Sequence, residues 1–90
     1  MAGSLKVSVI SPEATLFEGE APSVTAPAFD GEVGILTGHA PMMTLLGRGD
    51  LLVRAGAGGE SRFAIEGGFL QVLDNAVRIV TEKGPEEPED

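Results

Sequence analysis

The 90-residue sequence predicts an all-β fold, a small antiparallel β-sandwich made of two sheets. Thirteen glycines and six prolines divide the chain into pieces that are mostly too short for helices of ordinary length but long enough for strands. Apolar and polar residues alternate within several of these pieces, as expected of strands that turn one face toward a core. Hydrophobic residues make up 42% of the chain, which is material for one small core between two packed sheets.

The first candidate strand is LKVSVI, residues 5–10, in which Leu5, Val7 and Val9 fall on one face. Further candidates, each short and bounded by turn residues, cover residues 15–20, 23–26, 31–35, 42–46 and 51–55. The next is SRFAIE, residues 61–66, which also alternates. Many short strands separated by turns predict a sandwich or a barrel.

Two glycine-rich stretches are interpreted as structural. Residues 54–62, RAGAGGESR, are predicted to form a hairpin loop, because the segment lacks the spacing and the following helix of a phosphate-binding loop. Gly67-Gly68 lies where one strand pattern stops and the next begins, which predicts a bulge or a close approach of two backbones.

Residues 69–83 are the one stretch without Gly or Pro that is long enough for a helix, and its apolar residues fit a helical stripe. The many β-branched residues and the pair Asp74-Asn75, which suits a tight turn, favour two strands instead. We therefore predict a hairpin here, with a helix as the alternative that periodicity leaves open.

The sandwich is predicted to occupy residues 1–83 as one domain. Residues 84–90, GPEEPED, are predicted to be a short disordered acidic tail, because two prolines and four acids add nothing to a core.

Charge and composition exclude several function classes. Fourteen acidic residues against six basic ones give a net charge of −8, which argues against binding nucleic acid or anionic lipid. No apolar run approaches the length of roughly 20 residues that spans a bilayer, so no direct membrane insertion and no targeting segment are expected. The absence of cysteine excludes disulfides and thiolate metal sites.

His39, the only histidine, is the one candidate for chemistry. A metal or general-base role would need partners, and Glu32, seven residues earlier, is the single hint of one. The alternative is a loop imidazole that hydrogen-bonds nearby backbone or another protein. The acidic pairs Asp30/Glu32 and Glu18/Glu20 are interpreted as solvated strand faces. No catalytic residue, cofactor or metal is therefore predicted.

Several strings of residues, taken in order, resemble the epsilon subunit of F-type ATP synthases, whose mitochondrial counterpart is called delta. They are LKVSVISPE (5–13), DGEVGILTGHAPMMT (30–44), the pair Gly67-Gly68, FLQV (69–72) and NAVRIVT (75–81). The resemblance covers nearly the whole chain. It implies a non-catalytic rotor subunit of the central stalk, peripheral on the cytoplasmic face of the bacterial inner membrane.

The resemblance also implies partners and contact residues. An epsilon sandwich joins the gamma subunit to the c-ring, touches the catalytic alpha/beta hexamer only indirectly, and is monomeric when isolated. By position in the family's motifs, the expected contact residues are Glu32, His39, Ala40, Pro41, Met42 and Met43. Methionine side chains adapt to an apolar partner surface, which suits this role.

One departure from the family concerns the end of the chain. Epsilon subunits usually continue into two C-terminal helices, which in some bacteria bind ATP or block rotation, whereas this sequence ends at Asp90. Neither activity is expected of these residues, and a short natural form and a truncation both stay open. The alternative functions are an isolated sandwich whose 31–43 segment closes a small-molecule site and, more remotely, a small hydrolase.

Overall fold

A computed structural model describes residues 4–54 and 59–83. Within these ranges the chain forms eight strands and no helix. The strands are β1 (Leu5–Ile10), β2 (Thr15–Ala21), β3 (Ser23–Ala28), β4 (Gly31–Leu36), β5 (Met42–Leu45), β6 (Arg48–Arg54), β7 (Glu60–Leu73) and β8 (Ala76–Lys83). The predicted all-β fold is confirmed, and each predicted strand is present. The predicted acidic tail and residues 55–58 of the predicted hairpin loop lie outside the described residues.

Residues 69–83 form a hairpin, so the helical alternative is wrong. The strands β7 and β8 pair in an antiparallel register that runs from Leu73 opposite Ala76 to Glu66 opposite Lys83. The turn between them is Asp74-Asn75, with φ angles of 51° and 62°. Two consecutive left-handed residues define the turn whose twist matches that of the flanking strands, and Asp and Asn tolerate this conformation better than most residues.

The strands are hydrogen-bonded in the order β2-β1-β8-β7-β6-β3-β4, with β5 also paired to β7. All pairs are antiparallel except β1 and β8, which run parallel with Val7 opposite Val77. The sequence-based prediction of an antiparallel sandwich did not anticipate this pair, because its two strands come from opposite ends of the chain. No helix of the described residues is long and apolar enough to cross a membrane.

The strand β7 is long because it belongs to two layers. Its first half, Glu60–Glu66, pairs with β6, and its second half pairs with β5 and β8. We call β2, β1, β8, the second half of β7 and β5 the first layer, and the first half of β7, β6, β3 and β4 the second layer. Alternate residues are buried in both layers, so the sheet folds back on itself at Gly67-Gly68 and encloses one core.

The backbone at this fold confirms the close approach predicted for the glycine pair. Gly67 and Gly68 have φ angles of 74° and 101°. A Cβ atom on Gly68 would lie 1.9 Å from the carbonyl oxygen of Val80. The ladder nevertheless continues across the bend, because the Gly67 N–H donates to the Gly47 carbonyl (3.1 Å) and the Leu46 N–H donates to the Gly68 carbonyl (2.9 Å).

The core is aliphatic and is shared by the two layers. Its buried members are Leu5, Val7, Val9, Ala21, Val24, Ala26, Ile35, Leu46, Leu51, Val53, Ile65, Leu70, Val72, Val77 and Ile79. The rings of Phe17 and Phe63 pack at its margin. In the described part of the chain, every buried side-chain nitrogen or oxygen has a hydrogen-bond partner. The sandwich is therefore well packed inside, and candidate functional residues are to be sought on its surface.

Candidate protein-interaction site

The segment that links β4 to β5 is a short loop, residues 37–41, which we call the β4–β5 loop. Gly38 adopts a left-handed φ of 85°, and the His39 N–H donates to the Leu36 carbonyl at 3.1 Å. The His39 ring is half-buried, with Nδ1 2.8 Å from the carbonyl oxygen of Ala40. Because a carbonyl oxygen only accepts, Nδ1 carries a proton and Nε2 points away from this contact. His39 is thus a loop imidazole bonded to backbone, as the second interpretation of the sequence predicted.

The β4–β5 loop is attached to the β7–β8 turn by a side chain. The Gly38 N–H donates to Oδ1 of Asn75 at 2.7 Å, across 37 residues of sequence. Asn75 is itself fixed from the other side, because its carbonyl accepts the N–H of Lys6 at 2.8 Å. The loop, the turn and the start of β1 therefore meet at Asn75.

The expected contact residues do not form one continuous exposed strip. Glu32, Ala40 and Pro41 are exposed. Met43 is 63% exposed, whereas Met42 is half-buried and packs against the core, because neighbouring residues of β5 point to opposite faces. The 31–43 segment includes the whole of strand β4, so only residues 37–41 of it form a loop.

Glu32 and His39 are also separated from each other. Glu32 is near the beginning of β4, and His39 hydrogen-bonds Leu36 at its end. At about 3.3 Å per residue, the strand places Glu32 and Leu36 about 13 Å apart. Glu32 instead borders a shallow depression that Arg48, Asp50 and Arg62 also line. The two residues thus belong to different ends of the second layer.

Sequence reasoning missed an apolar surface on the outer face of the first layer. The strand registers place Leu45 opposite Phe69, Phe69 opposite Val80, and Val80 opposite Ile10. These residues point away from the core, since the neighbour of each along its strand is buried. We call Ile10, Val80, Phe69 and Leu45 the outer apolar row. Leu45 is 63% exposed and the other three are half-buried.

The outer apolar row extends toward other exposed apolar side chains. Met43 precedes Leu45 on the same face of β5. Phe29 is 66% exposed, and its N–H donates to the Leu45 carbonyl at 2.9 Å. Exposed apolar side chains that lie together in this way are typical of a surface that another molecule covers.

A signal for this surface was present in the sequence as pairs of adjacent apolar residues. The pairs on the strands of this surface include Val9-Ile10, Met42-Met43, Leu45-Leu46, Phe69-Leu70 and Ile79-Val80, and similar pairs, Ile35-Leu36 and Leu51-Leu52, occur in the second layer. In a strand, such a pair necessarily puts one apolar side chain on each face. Of the five pairs named on this surface, four have one buried member; in the fifth, Met42 packs against the core. The other member of each pair faces outward. Such pairs identify outward-facing apolar side chains, but only the strand registers show which of them lie together.

The outer face of the second layer carries ion pairs. Arg62 lies 3.2 Å from Asp50 and 3.8 Å from Glu60, and these are the ion pairs formed by residues 4–54 and 59–83. The largest depression described, about 500 Å³, lies among Arg48, Asp50, Glu66 and Lys83, and none of the residues lining it belongs to the β4–β5 loop. In the same part of the chain, no three His, Cys, Asp or Glu side chains cluster so as to hold a metal ion. Of the 31–43 segment, Gly31 and Glu32 line the shallow depression beside Arg48, and the β4–β5 loop lines none of the depressions described, so the loop does not close a small-molecule site there.

A small β-sandwich with a packed core and a row of apolar side chains on one outer face has the features of a protein-binding module. The chain belongs to the family described as the ATP synthase, Delta/Epsilon chain, beta-sandwich domain, whose model matches residues 4–85. The resemblance to the epsilon subunit that the sequence motifs indicated is thereby confirmed.

Relatives of known sequence support the same assignment. An ATP synthase epsilon chain of Leptospira interrogans is 45% identical over 83 residues, which is 92% of this chain and 65% of that protein. One of Syntrophomonas wolfei is 38% identical over 76 residues, which is 84% of this chain and 56% of that protein. The chain thus spans less than two thirds of the length of these relatives. They are named as chains of a larger synthase, which agrees with the prediction that these residues are not an enzyme by themselves.

Solved structures share the fold. A chain in the Euglena gracilis mitochondrial ATP synthase, in a structure described as OSCP/F1/c-ring, has a TM-score of 0.84 at 25% identity and matches 90% of this chain and 52% of its own length. A chain in the central stalk and c-ring structure of the Tetrahymena thermophila enzyme has a TM-score of 0.78 at 18% identity, with 91% and 66% covered. The latter likeness concerns the fold alone.

Proposed function

We propose that these residues are the non-catalytic β-sandwich of an epsilon subunit in the central stalk of a proton-driven ATP synthase. The sandwich joins the gamma subunit to the c-ring and turns with both. The observation that carries this proposal is the outer apolar row, on a sandwich whose family takes part in a complex described as OSCP/F1/c-ring. An exposed apolar surface of this kind suits a protein partner, and membership of the family makes another subunit of the synthase the proposed partner.

The gamma subunit is assigned to the outer apolar row. The row crosses β5, β7, β8 and β1, so its partner must present a broad apolar surface. Met43 and the β4–β5 loop, including His39, Ala40 and Pro41, border the same face and complete the contact. Burial of apolar side chains at the centre of an interface supplies most of its binding free energy. Met42 supports the surface from the core side.

The c-ring is assigned to the region of Glu32. This side chain is exposed at the beginning of β4, beside Arg48 and the ion pair of Arg62 with Asp50. A charged and solvated surface suits the polar loops of the c-ring and does not suit an apolar partner. The separation between Glu32 and the outer apolar row lets the sandwich be held on two sides.

The core supports this role mechanically. Torque passes through the sandwich only if its two layers do not slide, and close packing makes a protein interior stiff. The contact of Phe17 with Phe63 and the continuous ladder across Gly67-Gly68 both join one layer to the other. In the assembly, the sandwich is peripheral to the membrane on the cytoplasmic face. The sandwich itself is proposed to bind no ATP and to leave hydrolysis uninhibited.

The test is the affinity of the chain for its matching gamma subunit, measured by titration after the complex has been isolated by size exclusion. Leu45→Glu places a carboxylate in the outer apolar row, at a side chain exposed enough to leave folding intact. We expect a cost of about 1 to 3 kcal/mol in binding, because the charge loses water without gaining a partner.

Leu36→Glu is the matched control, since Leu36 is also 63% exposed but faces outward from the second layer. It should change the affinity less than twofold. Equal losses in the two variants, or no complex with the unmodified chain, would contradict the assignment of gamma to the outer apolar row.

A further inference from the structure

A loop that meets a partner binds more tightly when it is already ordered, because ordering on binding costs conformational entropy. The β4–β5 loop contains two features that restrict it locally: the fixed φ of Pro41 and the hydrogen bond from the His39 N–H to the Leu36 carbonyl. Both act within the loop and its own strand. Neither fixes the loop relative to the first layer, where the outer apolar row lies.

The end of the loop is held by β5, which follows Pro41 and pairs with β7 of the first layer. Asn75 adds a second link, at Gly38 near the start of the loop. Its Oδ1 accepts the Gly38 N–H at 2.7 Å, a length typical of a well-formed hydrogen bond. Two further constraints fix the backbone of Asn75, from which this side chain extends. Its φ of 62° belongs to the tight turn, and its carbonyl accepts the Lys6 N–H from β1 at 2.8 Å. The acceptor for Gly38 is therefore presented by a residue that is fixed at its backbone.

We propose that Asn75 is a positioning residue, which holds the β4–β5 loop against the first layer in the shape that the gamma subunit meets. The partner-directed part of this inference rests on the proposed function. Asn75 acts through Gly38 and makes no contact with gamma itself. Of the residues that tolerate a left-handed backbone, asparagine supplies a neutral side-chain acceptor and glycine supplies none.

Asn75 has two roles: its backbone adopts the left-handed turn conformation, and its side chain accepts the Gly38 N–H. Substitution by glycine or by aspartate separates these roles. Asn75→Gly keeps the left-handed backbone accessible and removes Oδ1. Asn75→Asp keeps an acceptor at the same place and should rescue the bond. Asp74→Gly relieves the neighbouring left-handed residue without touching the bond, and it serves as the matched control.

The first readout is the hydrogen exchange of the Gly38 amide in the isolated chain. In Asn75→Gly we expect it to accelerate about fivefold to tenfold, the factor that one exposed hydrogen bond contributes. In Asn75→Asp and Asp74→Gly it should stay near the value of the unmodified chain. Unchanged exchange in Asn75→Gly would overturn the positioning role.

The second readout is the affinity for gamma, which should fall about threefold to tenfold in Asn75→Gly and recover in Asn75→Asp. Faster Gly38 exchange with unchanged affinity would overturn the partner-directed part of the proposal. If the unmodified chain does not bind gamma, the proposed function fails, whereas the exchange of Gly38 still decides whether Asn75 holds the loop.

Discussion

The rings of Phe17 and Phe63 meet edge to face, with centroids 6.2 Å apart and planes inclined at 65°. Phe17 belongs to β2 in the first layer and Phe63 to the first half of β7 in the second layer. The pair therefore joins the two layers at the margin of an otherwise aliphatic core. Such aromatic contacts contribute beyond the area that they bury.

The first prediction is that Phe63→Ala lowers the free energy of unfolding by about 2 to 4 kcal/mol, since a half-buried ring and its aromatic contact are both lost. Denaturant unfolding followed by circular dichroism measures this change. Phe29→Ala is the control, because Phe29 is 66% exposed, and it should stay within about 0.5 kcal/mol of the unmodified chain. Equal effects of the two substitutions would remove Phe63 from the contact between the layers.

The second prediction concerns the bend at Gly68. Gly68→Ala should destabilise the chain by more than about 3 kcal/mol, because its Cβ would collide with the Val80 carbonyl and its φ of 101° suits glycine alone. Gly34→Ala should have little effect, since a Cβ there meets nothing within 4 Å. Thermal unfolding of the two variants compares them directly. A Gly68→Ala chain as stable as Gly34→Ala would show that the bend tolerates a side chain.

The bend also illustrates what could be predicted from sequence. The strands followed from turn residues and alternation. Of the two alternatives predicted for Gly67-Gly68, a bulge or a close approach of two backbones, the close approach is present. The sequence pattern placed the end of one strand and the start of the next at this glycine pair, whereas a single strand, β7, bends there between the two layers. That distinction depends on the partners of β7, since β5 and β6 both pair with it and keep the ladder continuous.

The contact surface was predicted less completely, for a physical reason. Motif positions identified Met43 and the β4–β5 loop, but Leu45, Phe69, Val80 and Ile10 come from four strands and become one row only through strand register. Each of these residues has an apolar neighbour in the sequence, which indicates that one apolar side chain faces outward. Alternation within one strand does not show that the four outward side chains lie together. Asn75 lacked even this signal, because its bond to Gly38 joins residues that are 37 positions apart.

The third prediction separates the two adjacent methionines. Met42→Glu should lower the free energy of unfolding by about 1 to 3 kcal/mol, because it places a carboxylate against the core. Met43→Glu should leave stability nearly unchanged and weaken gamma binding by about 1 to 3 kcal/mol, since Met43 is 63% exposed beside the outer apolar row. Unfolding and titration of each variant give both quantities. Reversed effects would mean that β5 presents the opposite face.

The central claim is that the gamma subunit covers the outer apolar row. The accessibility of single cysteines tests this claim most directly. The chain contains no natural cysteine, so Leu45→Cys and Leu36→Cys each introduce one thiol, at side chains of equal exposure on opposite outer faces. The measurement is the rate at which a water-soluble thiol reagent labels each variant, with and without gamma. We expect gamma to slow labelling at position 45 at least about tenfold and to leave position 36 unchanged, because buried interface residues exclude solvent. Undiminished labelling at position 45 in a formed complex would contradict the account.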